Sequence, residues 1–226
     1  MSYKLMPDDI KDQCVHTITQ LTYDQTKLQT LYQRLKHLEI DYSELREKAV
    51  GGLFGSITLD EFDEDDEPVP GKNFMLEPEV VELVECFNPS HEINTGNIAI
   101  TVYQPGFQFH PHIDFSRLSV LMFPILPGGD AGHAPIDYYD DAILGEVPED
   151  YLTNKEQNIG ADNHIEEHYL GSAYYSHIHP TLANTQRVHG VRNDTDDVRV
   201  FLQISLYDKY EDLLERIKTG EFLNVN

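Results

Sequence analysis

Val198-Arg199-Val200-Phe201-Leu202-Gln203-Ile204-Ser205-Leu206 is a short, β-rich run, and its reading decides the fold. Val, Ile and Phe suit a pleated, half-buried surface better than an exposed helix. Upstream, Val81-Glu82-Leu83-Val84-Glu85-Cys86-Phe87 and residues 98–103 and 119–125 share this character and are punctuated by Gly, Pro and Asn. Shorter pieces of the same kind lie at 136–139, 173–177 and 187–191. Many short strands at this spacing imply a sandwich, barrel or jelly roll. The fold class expected is therefore mainly β with flanking helices.

The period differs at both ends of the chain. After Pro7, Ile10, Cys14, Ile18 and Leu21 recur at helical spacing, and Leu28, Leu31, Leu35 and Leu38 repeat the pattern. Asp41 with Glu44 resembles a capping box opening a third helix that stops at Gly51-Gly52. Residues 1–60 are thus expected to be a helical region packed on the sheet. The stretch Glu61-Phe62-Asp63-Glu64-Asp65-Asp66-Glu67 runs into Pro68-Val69-Pro70-Gly71 and reads as an exposed, solvated connection rather than a calcium loop. Residues 128–170, rich in Gly, Asp and Glu, read as an insertion or lid. Tyr210, Leu213, Leu214 and Ile217 mark a closing helix within 207–220. At 226 residues the chain, 1–226, suits a single domain.

A net charge of −24, with 16 basic residues against 40 acidic ones, disfavours direct nucleic-acid binding and docking to an anionic membrane. Only Cys14 and Cys86 occur, too few for a disulfide framework or a thiolate zinc site, and both are expected reduced and buried. The N-terminus has no basic apolar signal and no stretch reaches membrane-spanning length, so a cytoplasmic protein is the default expectation.

His112-Ile113-Asp114, with a distant His189, supplies two imidazoles and one carboxylate, a recurring open-sided ligand set for non-haem Fe(II). Were 109–115 a strand, positions 112 and 114 would share a face. Arg199 follows His189 by ten residues, and its fixed fork of donors could grip a carboxylate two-pronged.

The string Tyr103-Gln104-Pro105-Gly106-Phe107-Gln108-Phe109-His110-Pro111-His112-Ile113-Asp114, with His189-Gly190-Val191 and Arg199, resembles the Fe(II)/2-oxoglutarate-dependent dioxygenases, especially their prolyl-hydroxylase-like branch. Pro180-Thr181-Leu182-Ala183-Asn184-Thr185 is similar to small versions encoded by marine phages, which would put the protein in a host-cell cytoplasm. The resemblance implies a double-stranded β-helix, a cupin-like jelly roll, over 81–206. It implies that His112, Asp114 and His189 hold Fe(II), that Arg199 binds the distal carboxylate of 2-oxoglutarate and that Tyr103 adds a hydrogen bond there. The implied reaction is decarboxylation of 2-oxoglutarate to succinate coupled to hydroxylation of an unactivated carbon, with ascorbate as a stimulant. The substrate, a small molecule or a protein or peptide side chain, is left open.

Other assignments compete in the same neighbourhood. His110 with His112, or His177 with His179, could serve a cupin-type metal enzyme that does not use 2-oxoglutarate. His110 otherwise reads as lying beside the metal site or at the surface, and His177 and His179 as turn or cavity-wall residues. Arg117 reads as the ion-pair partner of a neighbouring acid, or as a rival of Arg199 for 2-oxoglutarate. A third reading is a non-enzymatic β-sandwich, a binding or virion-associated module.

Overall fold

A computed structural model describes residues 4–38, 40–41, 49–50, 54–87, 93–114, 117–127, 135–146 and 165–223. The C-terminal strands run in one succession: β7 (Ile93–Tyr103), β8 (Gln108–His112), β9 (Ser119–Pro127), β10 (Pro135–Tyr139), β11 (Tyr169–Tyr174), β12 (Thr181–Asn184), β13 (His189–Arg192) and β14 (Arg199–Leu206). Their pairing splits them between two antiparallel sheets. One contains the order β12-β9-β14-β7 and the other β11-β10-β13-β8. Closing such sheets face to face is the double-stranded β-helix, the jelly-roll solution to burying two apolar faces.

The larger sheet is extended by strands that the sequence reading took for helix. Val15–Thr17 forms β1 and pairs with β12 (Val15 opposite Ala183), and Phe54–Thr58 forms β4 and pairs with β7. Ile40–Asp41 (β2) joins the far edge, and Ala49–Val50 (β3) extends the smaller sheet beside β8. The expected first helix therefore shrinks to α1 (Asp8–Lys11). β-branched Val15 and Thr17 instead find an open edge of β12, and Ile18 N–H donates to Pro180 O at 2.9 Å. The expected third helix is overturned at its ends by β2 and β3, and residues 42–48 lie outside the described residues. So 1–60 is a mixed region, and only α2 (Gln25–Leu35), capped by Asp24 accepting from Thr26 N–H, is a helix of the expected kind.

The run 81–87 is also corrected. It falls largely within α3 (Pro78–Glu85), which opens on a proline at its first position and buries Val80 and Leu83, three residues apart. Helical burial periodicity and the proline start outweigh the β-propensity of the two valines. The β-helix core accordingly begins at 93 rather than 81. The acidic connection is a hairpin, β5 (Asp60–Phe62) with β6 (Pro68–Asn73), and its turn is exposed as expected. Within 128–170, β10 is a central strand paired on both sides, so this stretch is not wholly an insertion. Residues 128–134 and 147–164 lie outside the description. A short helix, α4 (Ile165–His168), precedes β11, and α5 (Tyr210–Thr219) closes the fold, ending on Gly220 in the left-handed region at φ 79°.

Two apolar layers share the larger sheet. Val200, Leu202, Ile204 and Leu206 of β14 pack outward with Leu28, Leu31, Leu83, Leu213 and other helix residues. Phe201, with Tyr103, Met122, Tyr138 and Tyr175, packs inward between the sheets. Strand alternation sends Arg199 and Gln203 to that inner face as well. Cys14 is buried and Cys86 only half-buried, and both are free thiols. No helix among the described residues is long and apolar enough to cross a membrane.

Candidate active site

β8 and β13 are neighbours, and their register sets His112 opposite His189. The two imidazole centroids are 4.4 Å apart. β8 ends at His112, so Asp114 lies past the strand rather than within it. A loop hydrogen bond brings it back: Asp114 N–H donates to Thr185 O at 3.0 Å. Its Oδ1 then lies 3.7 Å from His112 Nε2. One ligand atom from each of His112, Asp114 and His189 falls within 4.8 Å of the others, and this is the group of metal-capable side chains among the described residues. The His177 and His179 pair belongs to no such group there, and the side chain of His110 lies outside the described residues.

The protonation chemistry suits a metal. His189 is 3% exposed, and its Nδ1 lies 2.9 Å from Arg187 O, which requires that nitrogen to carry the proton. Nε2 is thereby left with its lone pair free, the usual arrangement of an imidazole ligand. Burial, and then the neighbouring His112, lowers the His189 pKa to about 4, so the ring is neutral near pH 7. Burial alone would raise the Asp114 carboxyl, but Arg117, His189 and His112 together outweigh it and hold it at about 2. The donor set is two imidazoles and one carboxylate, which fits a divalent ion of the iron type.

Arg199 occupies a different part of the inner face. It is fully buried, among the rings of Tyr103, Tyr175 and Phe201 at 5.6, 5.2 and 4.9 Å from its guanidinium carbon. Nη1 donates to Arg192 O at 2.7 Å, whereas Nε and Nη2 are buried with no hydrogen-bond partner among the described residues. Burial depresses its pKa to about 10, which still leaves it cationic at neutral pH. A buried cation with two idle donors is unfavourable unless an anion completes it. Tyr103, 5% exposed, lies directly opposite Arg199 in the β7–β14 register.

A chain of polar contacts joins the two parts. Arg117 Nε donates to Asp114 Oδ2 at 2.6 Å, Arg117 Nη1 to Gln203 Oε1 at 3.3 Å, and Gln203 Nε2 to Tyr103 Oη at 3.3 Å. Sequence reading named Arg117, as an ion-pair partner or a rival of Arg199, and missed Gln186, whose Nε2 donates to both Asp114 O and Arg117 O at 2.8 Å. No periodicity or motif marks Gln186; only the folded loop brings it there.

No protein-family model matches the chain, and no curated protein matches it in sequence. Among solved structures, the non-haem α-ketoglutarate-dependent carbocyclase SnoK from nogalamycin biosynthesis aligns over 88% of this chain and 81% of its own, at a TM-score of 0.53 and 11% identity. The α-ketoglutarate-dependent epimerase SnoN of the same biosynthesis covers 81% of this chain and 73% of its own, at 0.50 and 10%. EvdMO1 covers 88% of this chain at 0.49 and 13%, and the chain spans 48% of its length. Prolyl hydroxylases are among the further matches. The likenesses to SnoK and SnoN show the fold, the double-stranded β-helix, and lend nothing to a phage origin.

Proposed function

We propose that this protein is a cytoplasmic Fe(II)- and 2-oxoglutarate-dependent oxygenase that hydroxylates an unactivated carbon. The observation that carries the reading is Arg199, a fully buried guanidinium with Nε and Nη2 unpaired, on the inner face of a β-helix in which two paired strand ends and the loop after one of them gather a His–Asp–His group. A metal alone would account for the three ligands; the second requirement, for an anion away from them, points to a dicarboxylate cosubstrate.

In this reading His112, Asp114 and His189 hold the ion on one side. When bound, Fe(II) with 2-oxoglutarate supplies dioxygen activation coupled to decarboxylation of the cosubstrate to succinate. Everything else is positioning and charge. Arg199 takes the distal carboxylate of 2-oxoglutarate on its two free donors, in a two-pronged contact that a lysine could not reproduce. Tyr103 and Tyr175, with Phe201, wall that carboxylate off from water and strengthen its attraction to the guanidinium. The Tyr103 hydroxyl, which accepts from Gln203, would add a hydrogen bond to the same carboxylate. Arg187 O, accepting from His189, fixes the ring orientation throughout. Ascorbate is expected to sustain turnover by keeping the metal reduced.

The carbon acted on is set by what enters above the triad, and both a small molecule and a peptide side chain are compatible with this chemistry. The test is succinate formation by the purified protein with Fe(II), 2-oxoglutarate and ascorbate across a panel of prolyl peptides, amino acids and nucleobases. His112→Ala, Asp114→Ala and His189→Ala should each abolish turnover. Turnover that survives all three sinks the assignment, and so does an Fe(II) protein that shows no new absorption band on anaerobic addition of 2-oxoglutarate.

A further inference from the structure

Because β8 stops at His112, the strand ladder does not fix the Asp114 side chain. Its backbone is tied to Thr185 O and to Gln186 Nε2, but the carboxylate can still rotate about its own bonds and exchange its oxygens. Arg117 removes that freedom. Its Nε takes Oδ2 at 2.6 Å, while Oδ1 remains the oxygen near His112, 3.7 Å from Nε2. Arg117 is anchored in turn: its carbonyl accepts from Thr185 Oγ1 at 3.2 Å and Gln186 Nε2 at 2.8 Å, and its Nη1 reaches Gln203.

We propose that Arg117 is a positioning residue for the metal ligand Asp114: it claims Oδ2, leaves Oδ1 alone to face the ion, and through Gln203 and Tyr103 ties that placement to the Arg199 pocket. This rests on the reading of His112, Asp114 and His189 as metal ligands. A carboxylate with one oxygen held by a guanidinium is biased toward meeting an ion with the other alone, which favours leaving one more coordination position open for cosubstrate or oxygen. The same commitment directs Arg117 Nε and Nη1 to Asp114 and Gln203, whereas Arg199 keeps Nε and Nη2 unpaired for 2-oxoglutarate. Only a planar fork spans both partners; a lysine ammonium could neutralise Asp114 but would have to release Gln203.

The test uses Co(II), whose visible ligand-field bands report coordination number, titrated into the metal-free full-length protein and into Arg117→Met, Arg117→Lys and Gln203→Leu. Arg117→Met should bind Co(II) about 10–100-fold more weakly, the range for losing a partner of a ligating group. Its bands should also be weaker, because the freed carboxylate closes on the ion with both oxygens and raises the coordination number. Arg117→Lys should recover part of the affinity, and Gln203→Leu should shift the bands in the same direction as Arg117→Met by a smaller amount. Should Arg117→Met fail to fold, the Arg117→Lys spectrum decides: altered bands support the proposal and wild-type bands overturn it. Wild-type affinity and bands in Arg117→Met overturn the proposal and leave the metal reading standing. A Gln203→Leu spectrum identical to wild type overturns the link to the Arg199 pocket. No Co(II) binding by the wild-type protein overturns the metal reading, and this proposal with it.

Discussion

His112 and His189 are directly opposed in register, at the last residue of β8 and the first of β13, with ring centroids 4.4 Å apart. Two antiparallel strands that end together thus bring two metal-capable imidazoles to one point without any loop having to find it. Asp114 is the variable member, held by side-chain contacts past the strand end.

The pH response of the metal-free protein should follow His189. Its folded-state pKa, about 4, lies below the unfolded value of 6.5, so between these the unfolded chain binds a proton that the folded chain excludes. The stability contributed is full above pH 6.5 and is lost as pH falls through about 4. The effect is up to about 3 kcal/mol at 1.36 kcal/mol per unit. Thermal melts of metal-free protein should fall steadily across that window. His189→Asn should flatten the slope, and an equal slope in both proteins would count against it.

Arg199 should trade stability for binding. Arg199→Met removes a buried cation with two unpaired donors and keeps most of the apolar volume, so the metal-free variant should melt no lower than wild type. The same variant should lose 2-oxoglutarate affinity by about 100-fold or more while retaining Co(II), in line with losing a charge-assisted contact worth at least about 3 kcal/mol. Calorimetric titration checks both halves.

On the outer face of the smaller sheet, Asp137 accepts from Ser172 Oγ at 2.5 Å and pairs with Arg192 Nε at 2.9 Å. Both charged side chains are about nine-tenths buried. Asp137→Ala should therefore lower unfolding free energy by about 3 kcal/mol, because it leaves the buried arginine to the longer ion pair with Asp194, at 3.5 Å. Chemical denaturation measures this, and a loss under about 1 kcal/mol would contradict it.

Gly171 adopts φ +147°, and a Cβ there would lie 2.8 Å from Met6 Cα and 2.9 Å from Lys4 O, both backbone. Gly171→Ala should displace the N-terminal segment that hydrogen-bonds to Ser172. Faster proteolysis ahead of α1, with the rest of the chain protected, is the expected result.

Where one property dominated, the sequence was readable. Strands 98–103, 119–125 and 198–206 are buried on both sides and β-rich, so composition alone marked them. The grouping of His112, Asp114 and His189 was also legible, since two imidazoles and a carboxylate form a recognisable ligand set, while Tyr103 and Arg199 were singled out through the family resemblance and lie opposite each other in register. Residues 81–87 misled because their valines suit a strand while Val80 and Leu83 meet the core as a helix. Val15–Thr17 misled because its strand exists only beside β12, a partner far away in the chain. The ion pair of Arg117 with Asp114, three residues away, was legible as a pairing with a neighbouring acid, whereas the bond from Gln186 was invisible because it belongs to a loop closed by tertiary contacts.

β14 is a party wall. Its even-numbered side chains belong to the helix-covered layer and its odd-numbered ones to the interior between the sheets, so substitutions along Arg199–Leu206 should alternate in kind with every step. Damage at Val200, Leu202 or Ile204 would deplete the amount of folded protein, whereas damage at Arg199 or Gln203 would spare abundance and silence it. The eight positions thereby carry two separable selective pressures at a period of two.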